Sequence, residues 1–184
     1  MPTPPARDVP ACALALIRRF EGLHDGDRKT AVLEPQADPV GIYTVGWGHA
    51  LFAGGKPIKD REAAYRLWRA RWPAGMVRPD ADALLKADAQ AVCDKVVALF
   101  PETPLSEAQL GAMVSLAYNV GVGEVGGGPD FADSSVRRRL IAGDVAGAAD
   151  AFRLWRYAGG RELPGLVARR EAERVVFLNQ GALK

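Results

Sequence analysis

Residues 38–50 read DPVGIYTVGWGHA. The stretch opens on an Asp-Pro-Val-Gly turn and runs into IYTVGW, whose period-two alternation predicts a short strand. Tyr43, Val45 and Trp47 fall on one face of that strand, and Ile42, Thr44 and Gly46 on the other. Thr44 is the polar side chain on the face opposite two aromatics. The rest of the chain has mainly helical periodicity, so the small sheet is expected here, near the front. An acid, a turn and a hydroxyl form a compact chemical unit, and it begins seventeen positions after Glu21 of RRFEGL, residues 18–23.

Upstream, Val9, Ala13, Leu16, Ile17 and Phe20 recur at helical spacing, and Gly22 supplies a stop after Glu21. Residues 24–37 are polar and mixed, which suits hairpin and loop. Residues 60–72 predict an amphipathic helix with Tyr65, Trp68 and Trp72 on one side, ended by Pro73. Residues 80–100 predict a long helix with Leu84, Leu85, Val92, Val96 and Phe100 as its stripe. Ser106 and Gln109 have capping-box spacing at the start of a very apolar helix, 106–120. Five glycines and a proline make 121–133 a loop. Helices at about 134–142, 144–156 and 165–178 follow, with Gly143 and Asp144 as stop and cap. The expected fold class is α+β, mostly helical, in a single domain over 1–184. Its parts are a small front lobe over about 22–79, a connecting helix over about 80–100 and a helical lobe over about 101–184. Helix 9–21 packs near the cleft between the lobes in this scheme.

The 184 residues allow one sizeable core or two small lobes sharing one. The composition, 48% hydrophobic and 25% charged, is that of a soluble globular protein. A net charge of +2 gives no argument for nucleic acid and suits a mildly basic protein that tolerates an anionic polymer. Cys12 and Cys93 make no disulfide framework and read as small buried hydrophobes, which fits a reducing compartment. The first apolar run is too short for a membrane span and lacks a basic start, so no signal peptide or stable anchor is expected. Two histidines, His24 and His49, and two cysteines eighty-one positions apart cannot build the sites that zinc hydrolases show. No metal and no organic cofactor is expected. Ser134-Ser135 lacks a nucleophile-elbow context, and GVGEVGGG lacks the strand a phosphate-binding motif requires.

Glycoside hydrolysis uses two carboxyl groups, one protonated to donate to the leaving oxygen and one ionised. Glu21 stands at a helix end beside Phe20 and Leu23, apolar neighbours that suit a protonated acid. Asp38 lies at an open turn that suits an ionised group, and Thr44 can hold a water. Taken singly, each has a bland reading as a surface charge, a turn former and a strand former.

Together, FEGL followed by the D-P-x-G-x-x-T-x-G-x-G-H pattern resembles the front signature of phage-type lysozymes, the endolysins of glycoside hydrolase family 24. The resemblance continues at LSEAQLGAMVSLAYNVGVG, 105–123, and at AGDVAGAADAFRLWRYAGGRELPGLVARREAERVVF, 142–177. It implies a lysozyme-like two-lobed fold with a small β-hairpin lobe. It also implies cleavage of the β-1,4 bond between N-acetylmuramic acid and N-acetylglucosamine in bacterial peptidoglycan, with lysis of the host cell. Glu21 is then the general acid, and Asp38 with Thr44 positions water or stabilises developing charge. Asn119 of AYNVG matches a position lining the substrate groove, although an Asn near a helix end before Gly121 is nearly as good a reading. Arg169 or Arg170 approaches Glu21 from the last helix, with a solvated helix face as the alternative. The expected partner is peptidoglycan, not nucleic acid, and the protein is expected to be a monomer without a stable membrane anchor. The resemblance further implies a place in the host cytoplasm before lysis, with a separate membrane-permeabilising protein expected to let it reach the wall in the periplasm. A small single module suggests a Gram-negative type wall.

The sequence departs from the family between Glu21 and Asp38, where sixteen residues lie and fewer are usual. This segment brings in Asp25, Asp27 and Glu34 as rival acids. Asp38 is preferred because its turn and strand are intact, and Glu34 is the best rival. Further enlargements lie at 51–78, with Trp68 and Trp72, and in the loop 121–133. A lytic transglycosylase needs one glutamate but neither Asp38 nor Thr44. A catalytically silent wall-binding or membrane-disturbing protein would use the arginine-rich last helix instead.

Overall fold

A computed structural model of the chain describes residues 6–23, 31–38 and 40–179. His24, Asp25 and Asp27 fall outside the described residues. The chain divides into two compact units, Met1–Phe20 with Ala89–Lys184, and Glu21–Asp88.

The Glu21–Asp88 unit carries the sheet. β1 (Gln36–Ala37), β2 (Tyr43–Val45) and β3 (His49–Ala50) form an antiparallel sheet in chain order. Its register pairs Gln36 with Thr44, and Thr44 with Ala50. Thr44 is thus on the central strand. A two-stranded hairpin of β4 (Phe52–Ala53) and β5 (Lys56–Pro57) follows, then α2 (Arg61–Arg71) and the first part of α3 (Arg78–Ala98). Asp60 caps α2 by accepting from the Ala63 amide at 2.8 Å. Val45, Leu51, Ile58, Trp68, Met76 and Leu85 are buried.

The strand containing Thr44 is shorter than its sequence pattern. Alternation predicts a face shared by Tyr43, Val45 and Trp47, but β2 ends at Val45 and Trp47 lies in a turn. Gly46 and Gly48 flank it at φ values of 59° and 87°, in the left-handed region. This turn places the Trp47 ring in the core and lets its Nε1 donate to Asp82 at 2.9 Å. A Cβ on Gly46 would lie 2.7 Å from the Ala81 Cβ, so turn and helix approach at backbone distance.

The other unit is helical. It contains most of α1 (Ala11–Glu21), the second part of α3, α4 (Glu107–Val120), α5 (Ser135–Ile141), α6 (Val145–Ala151) and α7 (Pro164–Phe177). Ser106 and Gln109 form the expected capping box, and Ser134 and Asp144 cap α5 and α6. The helix expected over 144–156 is divided, because a 3₁₀ turn at Phe152–Trp155 follows α6. α4 is buried continuously from Leu110 to Ala117, which explains its near-uniform apolar sequence. Cys93 is buried and Cys12 half-buried, both free thiols, and burial pushes the Cys93 thiol up to about 11.

Sequence reading missed two hairpins. A-G-G-K at 53–56 and A-G-G-R at 158–161 turn β4 into β5, and β6 (Tyr157–Ala158) into β7 (Arg161–Glu162). All four turn glycines have positive φ, as two-residue hairpins of this hand require. The Gly-Gly pairs were the available signal.

The Gly-rich loop is tied down. Phe131 and Ala132 donate to the Gly121 and Val122 carbonyls at 3.1 and 2.9 Å. The Asp133 carboxylate accepts from the Gly126 amide at 2.9 Å and from Gly128 at 3.3 Å. Those amides, Gly126 first, hold the Asp133 carboxyl below its ordinary value. A lowered carboxyl contributes stability that is complete above its unfolded value and is lost as pH falls through the folded one. Asp133→Asn is therefore expected to remove part of the stability loss below about pH 4. Urea melts across that range check it. Gly46→Ala is expected to cost about 3 kcal/mol through left-handed strain and the Ala81 clash. A urea midpoint falling at constant m-value is the readout.

Candidate active site

Glu21 is the last residue of α1, half-buried, and Gly22 leaves the helix at a φ of 71°. Its carboxylate lies against the turn after β2, since a Cβ on Gly48 would sit 3.9 Å from Glu21 Oε2. The Gly46–Gly48 turn thus brings a bare backbone beside the acid, and Thr44 is on the strand feeding that turn. Next along the chain, His49 Nδ1 pairs with Asp88 Oδ2 at 2.7 Å, which anchors β3 to α3.

Asp38 builds the turn into the same strand. Its Oδ1 accepts from the Val40 and Ile42 amides at 2.9 and 2.8 Å, an Asx-type turn. Oδ2 is not used by those bonds. Thr44 is buried, and its hydroxyl donates over 3.4 Å to the Gln36 carbonyl, a long bond that a closer acceptor can replace. The rival Glu34 is exposed and accepts from the Tyr65 hydroxyl at 3.0 Å. Glu34 is thereby tied to α2, whereas Asp38 is tied to the turn that sets Thr44.

The remaining expected residues gather in the helical unit around a residue that sequence reading missed. Glu173 is fully buried and accepts from the Ser115 hydroxyl at 2.7 Å. Arg169 Nε and Arg170 Nη2 each donate to Glu173 Oε1 at 3.2 Å, and Arg170 Nε stands 3.0 Å from Oε2. Arg169 also donates to the Ser115 carbonyl, and its guanidinium lies 5.9 Å from the Phe20 ring centre. Arg170 Nη2 donates to Asn119 Oδ1 at 3.1 Å. Both arginines, 3% and 1% exposed, are buried and do not form a solvated helix face. Asn119 is exposed, and holding its Oδ1 turns the amide nitrogen into the free donor.

Burial pushes the Glu173 carboxyl up from its ordinary value, and Arg170, Arg169 and Ser115 oppose that rise. The i, i+3 and i, i+4 spacing in R-R-E-A-E was the sequence signal for it. Among the described residues no His, Cys, Asp and Glu cluster could hold a metal ion.

The Phage lysozyme family model matches residues 19–173. A SAR-endolysin of Enterobacteria phage P21 is 33% identical over 144 residues, covering 78% of this chain and 73% of its own. An endolysin of Salmonella phage P22 is 33% identical over 147 residues, covering 80% and 87%. Among solved structures, the muramidase domain of SpmX from Asticaccaulis excentricus is similar, with a TM-score of 0.68 and 30% identity over 94% of this chain and 98% of that one. A P22 lysozyme mutant gives a TM-score of 0.67 at 30% identity, over 94% and 99%.

Removing the carboxylate that joins two buried guanidiniums is costly. Glu173→Gln is expected to lose about 3–5 kcal/mol of stability, and Ser115→Ala about 1.5 kcal/mol. Chemical denaturation of the two variants checks both the loss and its order.

Proposed function

This chain belongs to the phage lysozyme family, and on that premise we propose that Glu21, Asp38 and Thr44 are its catalytic residues. The protein is a glycoside hydrolase of peptidoglycan, cutting the β-1,4 bond between N-acetylmuramic acid and N-acetylglucosamine. The observation that carries the residue assignment is the Glu21 carboxylate against Gly48, in the turn that closes the strand of Thr44.

In this reading Glu21 donates a proton to the leaving glycosidic oxygen. Gly48 matters because a side chain there would crowd the acid. The free Oδ2 of Asp38 and the Thr44 hydroxyl orient a water toward the anomeric carbon. The long bond from Thr44 to Gln36 lets the hydroxyl turn toward that water and accept from it. Asp38 accepts the water's proton as the new bond to carbon forms, and the leaving sugar keeps the proton from Glu21.

Asn119 is proposed to line the substrate groove with its amide nitrogen outward, held in that sense by Arg170. Arg169 and Arg170 then support binding from behind Asn119 and Phe20 and need not face the sugar. Reaching the wall from a host cytoplasm requires passage across a membrane, which this reading assigns to a separate permeabilising protein.

Glu21→Gln is expected to lower turnover of purified peptidoglycan about a thousandfold. Asp38→Asn keeps an oxygen for the turn and removes only the charge, so a loss of about a hundredfold is expected, against less than about twofold for Glu34→Gln. Equal losses for Asp38→Asn and Glu34→Gln would overturn the choice of acid. Mass spectrometry of the products must find one added water per cut; anhydro sugars would overturn the role given to Asp38 and Thr44.

A further inference from the structure

α2 carries Arg61, Arg66, Arg69 and Arg71 against a single acid, Glu62. Among the described residues none of these four arginines forms an ion pair with a carboxylate. Like charges this close on one helix repel one another, and an anionic ligand would relieve the repulsion.

Three of the four are arranged around a cavity. Arg61, Arg66 and Arg69, with Glu62 and Tyr65, line an open hollow of about 500 Å³. Among the described residues its three guanidiniums face Glu62 and the Glu34 carboxylate at the Tyr65 hydroxyl, which leaves one positive charge in excess. Tyr65 forms a fixed floor, since its hydroxyl donates to Glu34 and its ring meets Trp68 edge-on at 6.0 Å. The Arg61 and Arg69 guanidiniums stand 5.0 and 5.8 Å from the centre of that ring. Planar donor forks ordered on an aromatic surface suit bidentate capture of an oxyanion.

The apolar side of α2 is already used. Ala64 and Trp68 are buried, which leaves no apolar face to enter a lipid surface. The hollow is continuous along the chain with the proposed catalytic site. Glu34, which holds Tyr65, lies two residues before Gln36, and Gln36 pairs with Thr44. A ligand in the hollow is thus held at the Glu34 end of the segment that carries Asp38 and Thr44. The sugars of a peptidoglycan backbone are largely uncharged, and its anionic groups are carried on the short peptides that branch from it.

We propose that the α2 hollow is an accessory subsite for the carboxylates of peptidoglycan peptide stems. The proposal rests on peptidoglycan being the substrate.

The test compares the wild type with an Arg61→Gln, Arg66→Gln, Arg69→Gln triple variant. One substrate is purified wall freed of phosphate-bearing polymers, and the other is the same glycan stripped of peptides by an amidase, with the lactyl carboxylates this exposes capped as neutral amides. The triple variant is expected to raise KM about tenfold on peptide-bearing wall with kcat unchanged, and to leave KM on stripped glycan as it was. The difference should vanish in about 0.5 M salt, where exposed charges are screened. A triple variant carrying lysine instead, which keeps the charge, should recover most of the affinity. An equal loss on both substrates, or a loss on neither, overturns the proposal. So does a loss that appears only when phosphate polymers are left on the wall, or one confined to binding of anionic vesicles. If the wild type cuts neither substrate, the hydrolase assignment fails separately. Co-sedimentation with uncut wall then reads the subsite: arginine-dependent pelleting with peptide-bearing wall alone supports it, and any other pattern overturns it.

Discussion

The helical unit depends on one buried carboxylate. Glu173 on α7 receives a hydroxyl from α4 and two guanidiniums from its own helix, in a site that excludes water. Ions removed from water cost several kcal/mol each, and only close, well-directed partners return that energy. The arrangement therefore tolerates little variation in how α4 and α7 pack. Arg169 extends it to α1 through the Phe20 ring, and Arg170 extends it to Asn119 at the exposed end of α4. A packing constraint thereby sets the orientation of the exposed Asn119 amide.

The sheet-bearing unit solves a different problem with backbone geometry. An acid at the end of a helix, the role proposed for Glu21, needs room in front of it and a strand beside it. Gly48 supplies the room and Gly46 lets the turn press against α3. Asp38 serves both structure and proposed chemistry, with one oxygen closing the turn and the other left over. The short segment Glu34–Thr44 then links three things: the tyrosine of the basic hollow, the central strand and the acid of the turn. Affinity for a charged branch of the polymer and attack on its backbone would be coupled through that segment.

Much of this was legible in sequence because it is local. Capping at Ser106, Ser134 and Asp144, the length of α3 and the loop after α4 depend on residues a few positions apart. The hairpins at Gly54-Gly55 and Gly159-Gly160 were equally local, and only the weight given to a Gly-Gly pair hid them. Trp47 was different. Alternation assigns it to a strand face, but the close approach of Ala81, thirty-five residues after Gly46, bends the chain before the pattern can run on.

By itself, the sequence determined the reaction class and the order of helices, since motif spacing and helical period are properties of neighbouring residues. Tertiary structure decided which charges are buried and what they hold. An R-R-E-A-E helix reads as a solvated face until Ser115, fifty-eight positions earlier, is brought against it. Four arginines on α2 read as an ordinary amphipathic surface until Tyr65 is fixed by Glu34, thirty-one positions earlier. Burial and cavity shape arise from contacts distant in the chain, and local pattern carries no term for them.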